Sequence, residues 1–328
     1  MSLFVASITD QYRTIISAAG WADCSARGRL RFAGTDAVPF LQALVSNDVS
    51  RLTPGEGVYA TYLTPHGRMV ADLEIYRRAD GIVASVAPGL GESLAKRFDQ
   101  LIFSEDVRVT DESTRTTELV VVGAEAPRLL GDALGVNEDA LSRLGELGHM
   151  DFSEGFVART GEALLPIFKV FTAVEKQLSV VDRLVARGMI NISDDLVDAL
   201  RVEAGRPRFG VDMTDETIPL EAGLLERGIS TTKGCYVGQE IVIRVLHRGG
   251  GRVARRLVTV SFDASDAVPQ AGARLEHHGH EVGKLTSVAH APSQDRWLGL
   301  GYVHRDAAEI GNELAAGSAR GTITGFAG

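Results

Sequence analysis

The chain has 328 residues, 45% of them hydrophobic and 23% charged, with a formal net charge of −9. This is a globular composition long enough for two or three packed units, and its acidity argues against a general nucleic-acid binder. No apolar run nears the roughly 20 residues of a membrane span, the best being the strand-sized stretch at Leu119 to Gly123, and Met1 to Asp10 lacks the basic start of a secretory signal.

In chain order, Thr35 or Asp36 is placed to cap a helix over Ala37 to Val45 that ends near Asn47. Tyr59 to Leu63 and Ala71 to Arg77 read as strands joined by the turn Thr64-Pro65-His66-Gly67. A helix follows from about Gly91 to Leu101, with Leu94, Phe98 and Leu101 on one face. Glu118 to Val122 reads as a strand and Pro127 to Leu134 as a helix. Another helix is expected over Ala173 to Arg187, with Thr172 as its N-cap, Glu175 at the capping-box spacing and Gly188 closing it. One more runs from Ser193 to Gly205. Beyond Arg252 the texture changes to short strands, Leu257 to Phe262, Arg274 to Glu276, Gly283 to Val288 and Leu298 to Val303, which read as a small antiparallel barrel or sandwich. The triplet Gly249-Gly250-Gly251 marks the boundary. Two cysteines far apart, Cys24 and Cys235, make no disulfide framework and suit a reducing compartment, so a soluble cytoplasmic protein is expected.

Five features point to chemistry. The stripe Leu196, Ala199, Leu200 continues into Glu203, a carboxylate on an apolar face and at the negative end of the helix dipole, which opposes it by about 0.3–1 kcal/mol. It is either paired with a cation such as Arg201, Arg206 or Arg208, or it holds a ligand with two parallel N–H donors, as guanidinium and pterin edges present. Cys235 lies between glycines in Thr231 to Glu240, two residues from Lys233, and is either an activated thiolate or an inert turn residue. It has no neighbouring His or Cys at ligand spacing, so no metal site is expected. The basic run Arg244, His247, Arg248, Arg252, Arg255 and Arg256 suits an anion, or is a solvated linker with its strand. His277, His278 and His280 surround Gly279 at a hairpin tip, where solvated residues fit better than a metal site. Asp72 interrupts an apolar strand and is either an acid/base group or an edge charge.

The segment Lys233-Gly234-Cys235-Tyr236-Val237-Gly238-Gln239-Glu240 resembles the signature of the YgfZ family of folate-binding proteins, itself similar to the glycine-cleavage aminomethyltransferase, or T-protein, and to folate-dependent demethylases. The resemblance extends through Phe40 to Val49, His66 to Leu73, Arg201 to Gly205 and Pro219 to Leu224. It implies an α+β fold: two folate-binding lobes, about 1–115 and 116–250, forming one domain over 1–250, and a β-barrel over 251–328, together a three-lobed ring. It implies tetrahydrofolate or a one-carbon derivative as cofactor, with Glu203 at the pterin, Tyr59, Asp72 and Asn47 lining the site, and Arg244, Arg248 and Arg252 receiving the glutamate tail or an acidic partner. Cys235 with Lys233 would be the reactive group. The expected role is support of iron–sulfur enzymes, tRNA-modifying ones included, through client or assembly proteins, with no membrane or direct nucleic-acid partner. The alternative is a folate-dependent aminomethyl- or methyltransferase or demethylase with Asp72 as acid/base. The T-protein has two adjacent acids where this chain has Ala71 and Asp72, and it lacks the Cys235 signature.

Overall fold

Two runs rich in valine and phenylalanine, Thr116–Val122 and Ile167–Ala173, are buried along almost their whole length. Strands buried on both faces lose the polar alternation of surface strands, and these two pair antiparallel at the centre of a six-stranded sheet. In the computed structural model, which describes residues 6–247, 250–262 and 267–328, this sheet runs in the order Ile190–Asn191, Gly20–Asp23, Thr116–Val122, Ile167–Ala173, Gly155–Thr160, His149–Phe152. Helices Ala126–Leu134 and Gln177–Ala186 put Leu130, Val180 and Leu184 into the core formed with Leu119, Phe168 and Val170.

A second, five-stranded sheet has the order Gly57–Leu63, Met69–Arg78, Gly81–Val86, Gly28–Ala33, Arg108–Asp111. Its first two strands are joined through Thr64 to Gly67, where the Gly67 N–H donates to the Thr64 carbonyl at 2.9 Å. Helix Gly91–Asp99 buries Leu94 and Phe98, and the Phe98 ring meets Phe32 edge-on at 5.4 Å. The third sheet is a closed barrel of six antiparallel strands: Arg255–Phe262, Arg274–His277, His280–Ala291, Arg296–His304, Glu313–Ala316 and Ala319–Phe326. The chain divides into two compact units. Met1–Leu41, Val49–Tyr59 and Leu73–Val197 form the first, which holds the six-stranded sheet; Gln42–Asp48, Ala60–Asp72 and Asp198–Gly328 form the second, which holds the barrel.

The α+β class with a C-terminal barrel is therefore the one expected from the sequence. Three local readings change. Thr172 is not a helix cap: it pairs with Thr117 and Gly155 within the sheet and its hydroxyl donates to the Glu154 carbonyl at 2.7 Å. The central strand claims it, and the helix begins only after a 3-10 turn at Val174–Lys176. The last two barrel strands escaped the sequence reading because Ala315, Ala316, Gly317, Ser318 and Ala319, not large β-branched residues, occupy the stretch where they meet. Gln239–His247 forms a helix that the reading did not include.

A cluster of charges lies inside the first unit. Lys169, 1% exposed, donates to Glu74 Oε1 at 2.8 Å and Oε2 at 2.7 Å, and faces Glu162 at 3.1 Å and Glu118 at 3.4 Å. Ser85 donates to Glu118 at 2.7 Å, Tyr76 to Glu74 at 3.0 Å, and Arg27 lies 3.2 Å from Glu118. Burial works against the Lys169 charge and so does Arg27, but Glu162, Glu74 and Glu118 outweigh them, so Lys169 holds its proton more tightly than a free lysine.

Candidate functional site

Helix Ala37–Leu44 is followed directly by Val45, Ser46 and Asn47, so its last carbonyls need donors from elsewhere. Lys233 supplies them. Its ammonium donates to the carbonyls of Gln42 at 2.7 Å, Val45 at 2.6 Å and Asn47 at 3.0 Å, and lies 5.3 Å from the centre of the Tyr236 ring. A cation at a helix C-terminus also meets the negative end of the helix dipole. Burial draws the pKa of Lys233 down to about 8, with Asp48 opposing. Lys233 is thus turned into the protein, where its charge serves three carbonyls rather than the thiol two residues away.

The same segment is fixed from its other side. Ser46 donates to the Gly228 carbonyl at 2.6 Å and receives the Thr61 hydroxyl at 2.8 Å, while the Asn47 amide donates to the Arg227 carbonyl at 3.0 Å. The structure therefore brings Asn47 and Lys233 together. Asp72, 8% exposed, sits in the second unit near the start of strand Met69–Arg78. Tyr59 is buried in the first unit, on strand Gly57–Leu63.

Glycine is required at two positions around this site. Gly238 has φ 81°, and a Cβ there would lie 2.5 Å from the Thr64 carbonyl oxygen. Gly67 has φ 71°, and its Cβ would lie 2.7 Å from that of Ile241. The turn that leads to Asp72 and the turn that follows Cys235 are thus packed at backbone distance, which side chains would forbid.

Cys235 itself is exposed. With Gln239, Glu240, Ile243 and Arg244 it lines a surface pocket of about 410 Å³. Arg244 lies in the last turn of helix Gln239–His247; Arg248 lies outside the described residues. Two further members of the basic run have partners in the protein: Arg255 pairs with Glu221 at 2.9 Å, and Arg256 stacks on Phe326 at 3.5 Å. Cys24 contrasts with Cys235. Burial, with Glu118 adding to it, pushes its thiol up to about 12. At pH 8 an alkylating reagent should therefore label Cys235 and leave Cys24 protonated and intact. Peptide mass mapping checks this, and equal labelling of both thiols would contradict it.

Glu203 ends helix Asp194–Glu203, whose residues Leu196, Ala199, Leu200 and Val202 are buried. Its carboxylate is half-buried, and none of the three arginines near it in sequence takes it. Arg201 binds Asp212 at 2.7 Å and Asp198 at 2.9 Å, Arg206 donates to the Gly328 carbonyl at 2.9 Å, and Arg208 pairs with Asp198 at 3.0 Å. Instead Glu203 Oε1 accepts from the Ser293 hydroxyl, and from the Gln294 amide at 3.4 Å, both on the turn between barrel strands His280–Ala291 and Arg296–His304. Oε2 has no hydrogen-bond partner among the described residues. Burial raises the Glu203 pKa, and the Gln294 amide partly offsets this. Two residues earlier, Arg201 locks the helix to the barrel: it donates to Ser287 at 2.9 Å, and Ser287 and Thr286 each donate to Asp212 at 2.6 Å. Sequence reasoning missed Asp212, although an acid inside Phe209-Gly210-Val211-Asp212-Met213 was a visible signal.

The histidines lie where the hairpin reading put them. His278 and Gly279 both have positive φ and form the tip between strands Arg274–His277 and His280–Ala291, as a two-residue hairpin turn requires.

Known proteins resemble this chain along most of its length. Residues 2–233 match the GCVT N-terminal domain, and residues 255–324 match the glycine cleavage T-protein C-terminal barrel domain. An aminomethyltransferase of Rubrobacter xylanophilus is 32% identical over 92% of this chain and 81% of its own. One from Bacillus subtilis is 26% identical over 93% and 85%. A putative chloroplastic transferase of Arabidopsis thaliana is 29% identical over 90% and 67%. The crystal structure of glycine cleavage system aminomethyltransferase T from Bartonella henselae superposes with a TM-score of 0.86 at 21% identity, covering 97% of this chain and 88% of that one, a likeness of fold.

Proposed function

This chain belongs to the family defined by the GCVT N-terminal domain and the glycine cleavage T-protein barrel domain, and from that premise we propose that it is a tetrahydrofolate-dependent transferase of a one-carbon, aminomethyl-type group. The observation that carries the reading is Glu203: a half-buried carboxylate with no arginine counterion and one oxygen without a partner among the described residues. An anion kept in that state suits a heterocycle edge with N–H donors, because a charge-assisted pair there returns what burial took away. The residues present fit a pterin. Glu203 would hold it, and the Arg201–Asp212–Ser287 lock would keep the helix end in place. Tetrahydrofolate supplies the amines that accept the one-carbon unit. Asp72 would hold or release a proton at its carboxylate during transfer. Asn47 and Tyr59 are further binding candidates from the family resemblance, as are Arg244 and Arg248 for the glutamate tail.

Calorimetric titration of tetrahydrofolate under reducing conditions tests the site. Glu203→Ala should weaken binding at least tenfold, about 1.4 kcal/mol. The ionised carboxylate is the binding form, and its pKa is raised above 4.5. Affinity of the unmodified chain should therefore fall as pH drops through that raised value, and Glu203→Gln should lose that dependence. Equal affinity of the variants at every pH, or no heat from any form, would overturn the assignment.

The exposed thiol of Cys235 favours a second reading, support of iron–sulfur enzymes and through them of tRNA modification, with client or assembly proteins as partners. Cys235→Ser would then abolish iron–sulfur enzyme activity in cells while tetrahydrofolate binding stays intact. If transfer activity is instead sensitive to Asp72→Asn and indifferent to Cys235→Ser, the transferase reading stands alone.

A further inference from the structure

A groove of about 640 Å³ opens in the second unit beside barrel strands His280–Ala291 and Arg296–His304. Tyr302 lines it. The residue is only 7% exposed, and its buried hydroxyl has no hydrogen-bond partner among the described residues. Buried tyrosine hydroxyls ordinarily find a partner, and leaving one open costs about 1–3 kcal/mol. Burial pushes its ionisation well above that of a free tyrosine, Thr217 acting the other way without closing a hydrogen bond, so the group is a proton donor at any working pH.

The charges around it do not cancel. Arg255 stacks over the Tyr302 ring at 4.5 Å and is neutralised by Glu221, and Glu281 is paired with Arg274 at 3.1 Å. What remains is two lining cations, Arg68 and Lys284, and one acid, Glu216, none in an ion pair among the described residues. The groove thus has a surplus of positive charge beside an open hydroxyl donor. Its parts are held in place: the Met69 N–H donates to the Thr217 carbonyl at 2.9 Å, tying the turn of Arg68 to the segment of Glu216, and the Leu257 N–H donates to the Glu221 carbonyl at 2.8 Å. Ile218, Val282 and Ala254 give the groove apolar wall. Three carboxylates in the lining disfavour a dianion such as phosphate, whereas one planar monoanion matches the arginine fork.

We propose that this groove is a binding site of its own for a small organic carboxylate, its oxygens held by Arg68, Lys284 and the Tyr302 hydroxyl and its hydrocarbon body laid on Ile218 and Val282. It shares no residue with the Glu203 and Asp72 assignments and does not rest on them.

Fluorine NMR titration of the full chain with 4-fluorobenzoate tests it, with neutral 4-fluorobenzamide and inorganic phosphate as controls. The benzoate should bind at least tenfold tighter than the benzamide, resist displacement by phosphate, and bind equally well with tetrahydrofolate present. Tyr302→Phe keeps the ring under Arg255 and removes only the open hydroxyl. It should weaken benzoate binding about tenfold while melting no lower than the parent, and Arg68→Ala should weaken it by a similar factor. Benzamide binding as well as benzoate, displacement by phosphate or by tetrahydrofolate, or unchanged benzoate affinity in both variants would each overturn the proposal.

Discussion

Lys169→Met is expected to lower the stability of the first unit by about 3–5 kcal/mol, the usual consequence of removing one partner from a buried ion pair. Glu74 and Glu118 are 2% and 0% exposed, and the lysine between them is the cation that both face at 3.4 Å or less. Without it, their negative charges stay desolvated, with Arg27 the remaining ion-pair partner among the described residues, 3.2 Å from Glu118 and 4.0 Å from Glu74. A loss of this size is a large part of the about 5–15 kcal/mol that typically separates folded from unfolded protein. The chain has two tryptophans, Trp21 packed against the core of the first unit and Trp297 in the barrel, so Trp21 fluorescence in a Trp297→Phe background reports the relevant transition. The urea midpoint of Lys169→Met should fall sharply. Lys169→Met with Glu74→Leu should recover part of the loss, because exchanging a buried ion pair for apolar side chains is often close to neutral. A midpoint within about 1 kcal/mol of the parent would show that the cluster is hydrated and carries little energy.

Lys233→Met is the second large effect, expected in the other unit. Three carbonyls, those of Gln42, Val45 and Asn47, would lose one charged donor together. An open buried acceptor costs about 1–3 kcal/mol, and water can refill part of the set, so a total of about 3 kcal/mol is expected. Thermal unfolding followed through Trp297 reads this loss. Amide exchange should rise at Ser46, whose N–H donates to the Thr61 carbonyl at 2.9 Å. The alkylation rate of Cys235 should not change, because the ammonium is turned away into the helix end. A severalfold slower thiol reaction with unchanged stability would reverse the assignment and make Lys233 an activator of the cysteine. If Asn47 contacts tetrahydrofolate, the variant should also bind it more weakly.

These two lysines show where chain-local reasoning stopped. Lys169 is visible as a lone cation in Ile167 to Phe171, Glu118 as a lone acid in its apolar strand, and Glu74 as a second acid beside Asp72 in another. That they form one cluster depends on strands 44 to 95 residues apart packing together, since Glu74 is 95 positions from Lys169 and Glu118 is 44 from Glu74. Lys233 stands two positions from Cys235, and proximity in sequence suggested a thiolate partner. The end of a helix nearly 190 residues earlier won its charge, because three carbonyls that need donors offer more than one exposed sulfur.

Local periodicity and turn chemistry are written in short segments, and they carried over. The apolar stripe that runs into Glu203, the strand that bears Asp72, the hairpin tip at Gly279 and the switch to short barrel strands near Arg255 all depend on neighbours within a few residues. Partner choice does not. Arg201 looked able to neutralise Glu203, but two helical steps turn a side chain by about 200°, to the opposite face. Arg201 therefore meets Asp212 and Ser287, while Glu203 meets a barrel turn 90 residues onward. The open Tyr302 hydroxyl has no trace in the sequence at all. Only packing decides which buried donors find acceptors and which are left for a ligand.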